Sequence, residues 1–143
     1  MDALDLTKQP PRAPREMLPG LNLLMIARTV DKLRATLPGG NSGDYKIAGF
    51  SKQLLGRLDI DEATIRDAVA AAKNDSEIAA WIAARTDASR FDALNADMSW
   101  EKIADRIDDP AFFAKYPIYK TLPPETALID ALPIDDRASF AGK

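Results

Sequence analysis

The sequence predicts an all-α fold, a compact single-domain bundle of five to seven short helices with an extended proline-rich N-terminal arm. Three observations predict it. The 143 residues include 24 alanines against two valines; alanine is the best helix former, whereas valine's branched side chain suits sheets. Residues 57–109 contain neither proline nor glycine, so nothing there interrupts a helix. Apolar residues recur at three- and four-residue steps, the period of one helical face. The length fits one domain, divided into an arm over 1–19, a helical core over 21–132 and a polar tail over 133–143.

The arm carries Pro10, Pro11, Pro14 and Pro19, and proline fixes φ while discouraging helix in the residue before it. Leu23, Ile26, Ala27, Val30, Leu33 and Leu37 make one stripe, which predicts a first helix over Leu21–Leu37 ended by Pro38-Gly39-Gly40. A glycine-rich loop follows, then a short helix over Phe50–Leu58. Asp61 is the expected N-cap of the next helix, with Ile60 and Ile65 placed as a hydrophobic staple. Asn74 and Glu77 resemble a capping box, and the two helices over 61–85 form a hairpin. Ser99 is expected to cap a segment whose inner face is Trp100, Ile103, Ala104 and Ile107. Asp109-Pro110 is a cap followed by a first-turn proline, opening a helix that Pro117 ends. Pro124–Leu132 predicts the last helix, stopped by Pro133.

Composition excludes several chemistries. The chain has no Cys and no His, which removes Ser-His-Asp and Cys-His relays, thiolates, disulfides and zinc sites of the usual ligand types. Acid–base work must come from Asp, Glu, Lys, Arg or Tyr, and no cofactor is implied. The acidic pairs Asp59/Asp61, Asp108-Asp109 and Asp135-Asp136 lack the glycine and spacing of a calcium loop, so no metal is expected. The N-terminus opens with Asp2 and Asp5 before Lys8, unlike a secretory signal, and no apolar run approaches a membrane span. A soluble, cytoplasmic protein without a membrane partner is the expectation. DNA is not expected either: the second helix of the 61–85 hairpin opens with Asp75 and Glu77, which repel a phosphate backbone.

Charge is unevenly spread. Residues 1–58 hold nine Lys/Arg and five Asp/Glu, and residues 59–143 hold ten and seventeen. The basic first part invites an anion. Arg28, Asp31 and Lys32 lie at i, i+3 and i+4 and project together. If the arm and the glycine loop fold over this stripe, Arg12, Arg15, Arg28 and Lys46 converge, with Asn41 and Gly43 supplying hydrogen bonds. Asp31 and Tyr45 are then the nearby proton-transfer groups. The loop is not a Walker motif, since no Gly-Lys-Ser/Thr occurs. The bland counterpart is a solvated helix face with an Arg28–Asp31 pair worth a few tenths of a kcal/mol. Phe112, Phe113, Tyr116 and Tyr119 read as core or as a subunit contact.

Several segments together resemble a small bacterial domain-of-unknown-function family: Leu4-Asp5-Leu6-Thr7-Lys8 with Pro11-Arg12-Ala13-Pro14-Arg15-Glu16, Ala27-Arg28-Thr29-Val30-Asp31-Lys32-Leu33-Arg34-Ala35, and Gly39-Gly40-Asn41-Ser42-Gly43-Asp44-Tyr45-Lys46-Ile47. The resemblance extends to Trp81, Pro123-Pro124-Glu125 and Asp135-Asp136. Some members carry His and Cys after the loop tyrosine, where this chain has Lys46-Ile47-Ala48. The resemblance implies a compact cytoplasmic domain and transfers no catalytic residue.

Three functions stand side by side. The first is a binding module for a small anionic ligand or acidic partner, using Arg12, Arg15, Arg28, Asn41, Gly43 and Lys46, since arginine's fork suits carboxylate and phosphate. The second is a cofactor-independent lyase, isomerase or hydrolase with Asp31 as base and Lys32 or Tyr45 as acid. The third is a structural protein forming homo-oligomers through the arm and the aromatic cluster.

Overall fold

Helix α1 (Ile26–Arg34) is the axis of the protein: every residue from Ile26 to Leu33 is buried, the charged ones included. Around it pack α2 (Phe50–Leu58) and α3 (Glu62–Ala71), with α4 (Asp75–Ala83) against α3, α5 (Phe91–Ser99) against α2, and α7 (Leu128–Phe140) against α5. The short α6 (Pro110–Lys115) lies beside a 3-10 turn at Pro117–Thr121. This computed structural model describes residues 1–141, and among them there is no β-strand, so the all-α expectation holds. Main-chain pairing outside helices is confined to isolated bridges, Asp5 with Asn41 and Lys102 with Ala127.

The first helix is shorter than its apolar stripe. Leu21, Leu23 and Leu24 are buried as the stripe requires, but the helix begins only at Ile26, after Met25 in a left-handed conformation at φ 70°. The reason is that residues 22–25 find hydrogen-bond partners elsewhere. Asn95 on α5 accepts from the Leu24 amide at 2.9 Å and donates to the Asn22 carbonyl at 2.8 Å. The Met25 amide donates to the Pro14 carbonyl at 2.7 Å. A backbone already satisfied by its surroundings gains nothing by coiling. Apolar periodicity located the buried side chains, and tertiary hydrogen bonds set the boundary.

The caps of the middle helices are as read. Asp61 accepts from the Thr64 amide at 3.4 Å, Asn74 from the Glu77 amide at 3.0 Å and Asp109 from the Phe112 amide at 3.1 Å. Each satisfies one orphan donor of a first turn. The Asn74–Glu77 box is offset, because the Glu77 carboxylate accepts from the Lys73 amide and not from that of Asn74. Ile60 and Ile65 are both buried, as a staple requires.

Two expectations at the C-terminal end are corrected. Ser99 ends α5, its hydroxyl donating back to the Asn95 carbonyl at 2.8 Å, and does not start a helix. Of the predicted inner face only Ile103 is buried; Trp100 is 62% and Ile107 68% exposed. Here too the main chain is taken elsewhere: Ile103 and Ala104 donate to the Thr126 and Pro124 carbonyls, and Leu128 donates to that of Glu101. Secondly, Pro133 lies within α7 and residues 133–140, read as polar tail, are helical. An interior proline costs a helix about 3 kcal/mol. Burial of Ile129 and Ala131 and an ion pair made by Asp136 tie this helix down and offset that cost.

The aromatic residues form a second, smaller core. Phe112 lies 5.3 Å from both Phe113 and Tyr119, and Tyr116 stacks on Tyr119 at 5.1 Å. Ile103, Leu128 and Ala131 complete it. Replacing Phe91, which is 5% exposed on α5, with Ala is expected to cost about 3–5 kcal/mol, whereas Trp100→Ala stays within about 0.5 kcal/mol. Urea unfolding of the two variants checks the placement of α5.

Candidate functional site

The charged stripe of α1 is inside the protein. Arg28, Asp31 and Lys32 are 3%, 4% and 9% exposed, and Thr29 is fully buried between them. Buried charge is tolerated only when it is paired and hydrogen-bonded. Asp31 and Arg28 find opposite charges in different parts of the chain, Lys32 finds a hydroxyl, and the result is three linked clusters.

The first cluster fixes the arm. Asp31 accepts from the Arg12 main-chain N–H at 2.8 Å, from its Nε at 3.1 Å and from Nη2 at 3.0 Å. The same guanidinium reaches Asp75 at the start of α4 through Nη1 at 2.7 Å. Burial works against the Arg12 charge, but the bonds to Asp75 and Asp31 reverse that effect and raise its pKa above the ordinary value. Both Asp31 oxygens are therefore engaged, an arrangement suited to attaching the arm rather than accepting a substrate proton. Arg34 contributes more distantly, with Nη1 3.9 Å from Asp31 and Nε donating to the Asp2 carbonyl.

The second cluster joins α1 to α7 and the glycine loop. Arg28 grips Asp136 with Nη1 at 2.7 Å and Nη2 at 3.2 Å, a two-pronged pairing that arginine's planar fork allows. Tyr45 from the loop donates its hydroxyl to the same carboxylate at 2.9 Å, and its ring lies 5.6 Å from the Arg28 guanidinium carbon. Burial first, then the Asp136 charge, pushes the Tyr45 phenol well above its usual value. Tyr119 is pushed the same way by its own burial. Asp135 is held above the usual carboxylate range by burial and by its neighbour Asp136.

The third cluster is Lys32, Ser51 and Thr29. The Lys32 amine donates to the Ser51 hydroxyl at 3.3 Å, and Ser51 lies 2.9 Å from the Thr29 hydroxyl. Thr29 back-bonds to the Met25 carbonyl at 2.8 Å. Burial, with the nearby Arg28 charge, lowers the Lys32 pKa to about 8, and Asp136 resists only in part.

Other expected site residues lie apart. Arg15 pairs with Asp130 on α7 at an exposed position. Asn41 is a loop organiser: its main chain bridges to Leu4 and Leu6, and its side chain accepts from the Gly43 amide at 3.0 Å. Gly43 sits at φ 55°, where a Cβ would also press on Thr7 at 3.2 Å. Lys46 is exposed and pairs with none of the described carboxylates. The structure thus brings Arg12, Asp31, Arg28, Tyr45 and Lys32 together and leaves Arg15, Asn41, Gly43 and Lys46 outside.

Against the arm lies a cleft of about 480 Å³. Pro10, Pro11 and Ala13 form one wall, with Arg34 and Arg137 among its polar lining. Asp31 and Asp136 reach it too, already held by Arg12 and Arg28. Sequence reasoning missed Asp75, Ser51, Asp136 and Arg137. Asp136 alone had a signal, since the family resemblance touches Asp135-Asp136. Among the described residues no cluster of acidic side chains has the arrangement of a metal site, and no helix is long and apolar enough to cross a membrane.

Residues 8–112 match the model of a family described as Domain of unknown function (DUF5069). The chain belongs to this family. The matched span holds Arg12, Arg28, Asp31, Lys32, Tyr45, Ser51 and Asp75, whereas Asp130 and Asp136 on α7 lie beyond it. No curated protein matches the chain.

Two stability effects follow. Arg28→Ala leaves Asp136 buried without its partner and is expected to cost about 3–5 kcal/mol, while Arg15→Ala, at an exposed pair, costs at most about 1 kcal/mol; denaturant titration separates them. Lys32 behaves in the opposite sense. Its folded pKa, about 8, is below the ordinary lysine value of 10.5, so between those pH values the unfolded chain binds more protons and stability rises with pH. Below pH 8 the buried charge carries its full cost, on the order of 3 kcal/mol. Lys32→Met is therefore expected to be more stable than the parent at pH 7, with the gap closing towards pH 10.5. A gap independent of pH in paired melts would contradict the assignment.

Proposed function

We propose that this protein is a binding module that holds a small carboxylate- or phosphate-bearing ligand in the cleft between its arm, α1 and α7. The observation that carries this reading is the state of two arginines on the cleft wall. Arg137 is exposed and has no carboxylate partner among the described residues. Arg34 has one distant carboxylate approach, 3.9 Å to Asp31, and uses its Nε on the Asp2 carbonyl, which leaves the rest of its fork for a ligand. Arg12 and Arg28 supply the frame: by neutralising Asp31 and Asp136 they prevent those carboxylates from repelling an anion. The proline-lined wall adds an apolar, preorganised surface that orders at little entropic cost.

In this reading the contact residues shift from Arg15 and Lys46 to Arg34 and Arg137. Guanidinium groups at a concave surface favour planar oxyanions through paired N–H donors. The test is a thermal-shift screen of the full chain against di- and tricarboxylates and phosphate esters. A ligand at a hundred times its Kd adds about 2.7 kcal/mol of stability. An Arg34→Ala, Arg137→Ala double variant should keep its fold and lose that response; no response from the parent protein to any of these anions overturns the proposal.

A further inference from the structure

Lys32 is the α1 cation that no described carboxylate holds within ion-pair distance. Arg28, one turn earlier on the same face, occupies Asp136 with two of its nitrogens, and Tyr45 occupies that carboxylate again. The groups bearing on the Lys32 amine are Arg28 from its own helix, Ser51 from α2 and Asp136 from α7. Among the described residues the acceptor it reaches is a hydroxyl. The Thr29 hydroxyl donates to the Met25 carbonyl, so towards Ser51 it acts as acceptor; Ser51 then donates to Thr29 and turns a lone pair towards Lys32. A desolvated amine beside a second cation, with a neutral oxygen for its hydrogen bond, is the environment that makes a lysine nucleophilic.

We propose that Lys32 is a reactive amine that condenses with small carbonyl compounds to form an imine. The Nζ lone pair attacks the carbonyl carbon, the C–O π electrons move onto oxygen, and a proton from the nitrogen neutralises that oxygen. The carbinolamine then loses water, leaving a C=N bond; hydrolysis reverses the sequence, and no oxidant or reductant is consumed. Ser51 Oγ, at 3.3 Å, is placed to hold the nitrogen in position and to relay a proton during dehydration. Lys32 is 9% exposed, which restricts the partner to a small, unhindered aldehyde or oxo acid. With its pKa lowered to about 8, about a tenth of the amine is neutral at pH 7, against fewer than about one in a thousand for an ordinary lysine.

This goes beyond the cleft proposal and does not depend on it. The test is reductive trapping: the native full chain is treated with acetaldehyde and cyanoborohydride at pH 7, and ethylation is mapped by peptide mass spectrometry over the nine lysines. Lys32 should be modified at least about tenfold faster than exposed Lys8 and Lys46, with a rate that rises to half its maximum near pH 8. In guanidinium chloride that preference should vanish. The Met1 amine, which donates to carbonyls at the end of α3, is read separately on its own peptide. Trapping at Lys32 no faster than at Lys8 or Lys46 in the native protein overturns the assignment. The Arg34→Ala, Arg137→Ala variant should trap as the parent does, so the two proposals can fail independently.

Discussion

A helix with charged residues on a fully buried face is the constraint from which the rest of this structure follows. Arg28, Asp31 and Lys32 lie on the side of this nine-residue helix opposite Ile26, Val30 and Leu33, and both sides are inside. The apolar side packs into the core, while the arm, the glycine loop and α7 cover the charged side. The remaining chain brings counter-charges to α1 from the arm and from α7, and Asp75 of α4 shares the arm's Arg12. Such pairs add little net stability compared with an apolar core, but leaving one partner alone is costly. Their effect is to specify position: Arg12 fits where two carboxylates from different helices meet, and Tyr45 fits where Arg28 has oriented Asp136.

This arrangement changes what the α1 arginines do. A cation that has found its carboxylate is part of the architecture, and in the binding reading proposed above recognition passes to cations that have not. Arg34 and Arg137 line the cleft with incomplete carboxylate pairing, whereas Lys32, outside that lining, has a hydroxyl for its partner. The two proposals thereby occupy different parts of one polar seam, the anion at the open cleft and the carbonyl compound at a desolvated amine. The Arg28–Asp136 pair touches both, since Asp136 lines the cleft and the two charges act on Lys32 in opposite senses.

Much of the helical framework was legible because its signals are local. Asp61, Asn74 and Asp109 cap helices through bonds spanning three residues, and each needs only its own neighbourhood. The buried stripe of α1 was legible for the same reason. What failed was decided at long range. Asn95 holds residues 22–24 out of helix across more than seventy positions of sequence, and the contacts of α7 carry it past Pro133. The candidate site divides along that line too. Arg12, Arg28, Asp31 and Tyr45 were singled out from charge and spacing, while their partners Asp75 and Asp136 lie 63 and 108 residues from the arginines they meet. No periodicity links residues so far apart.

The arm's attachment has a consequence for how the protein is made. Arg12 is synthesised long before Asp75, and Arg15 precedes Asp130 by 115 residues. A chain emerging in order from the ribosome therefore holds its arginines in water through most of translation, because the groups that will neutralise them do not yet exist. The polar side of α1 stays hydrated until α4 and then α7 arrive, and dehydration of that surface becomes a late event. Native contacts of such wide separation slow the search for the folded state, and the proline-rich strap cannot complete its attachment before α4 and α7 are present.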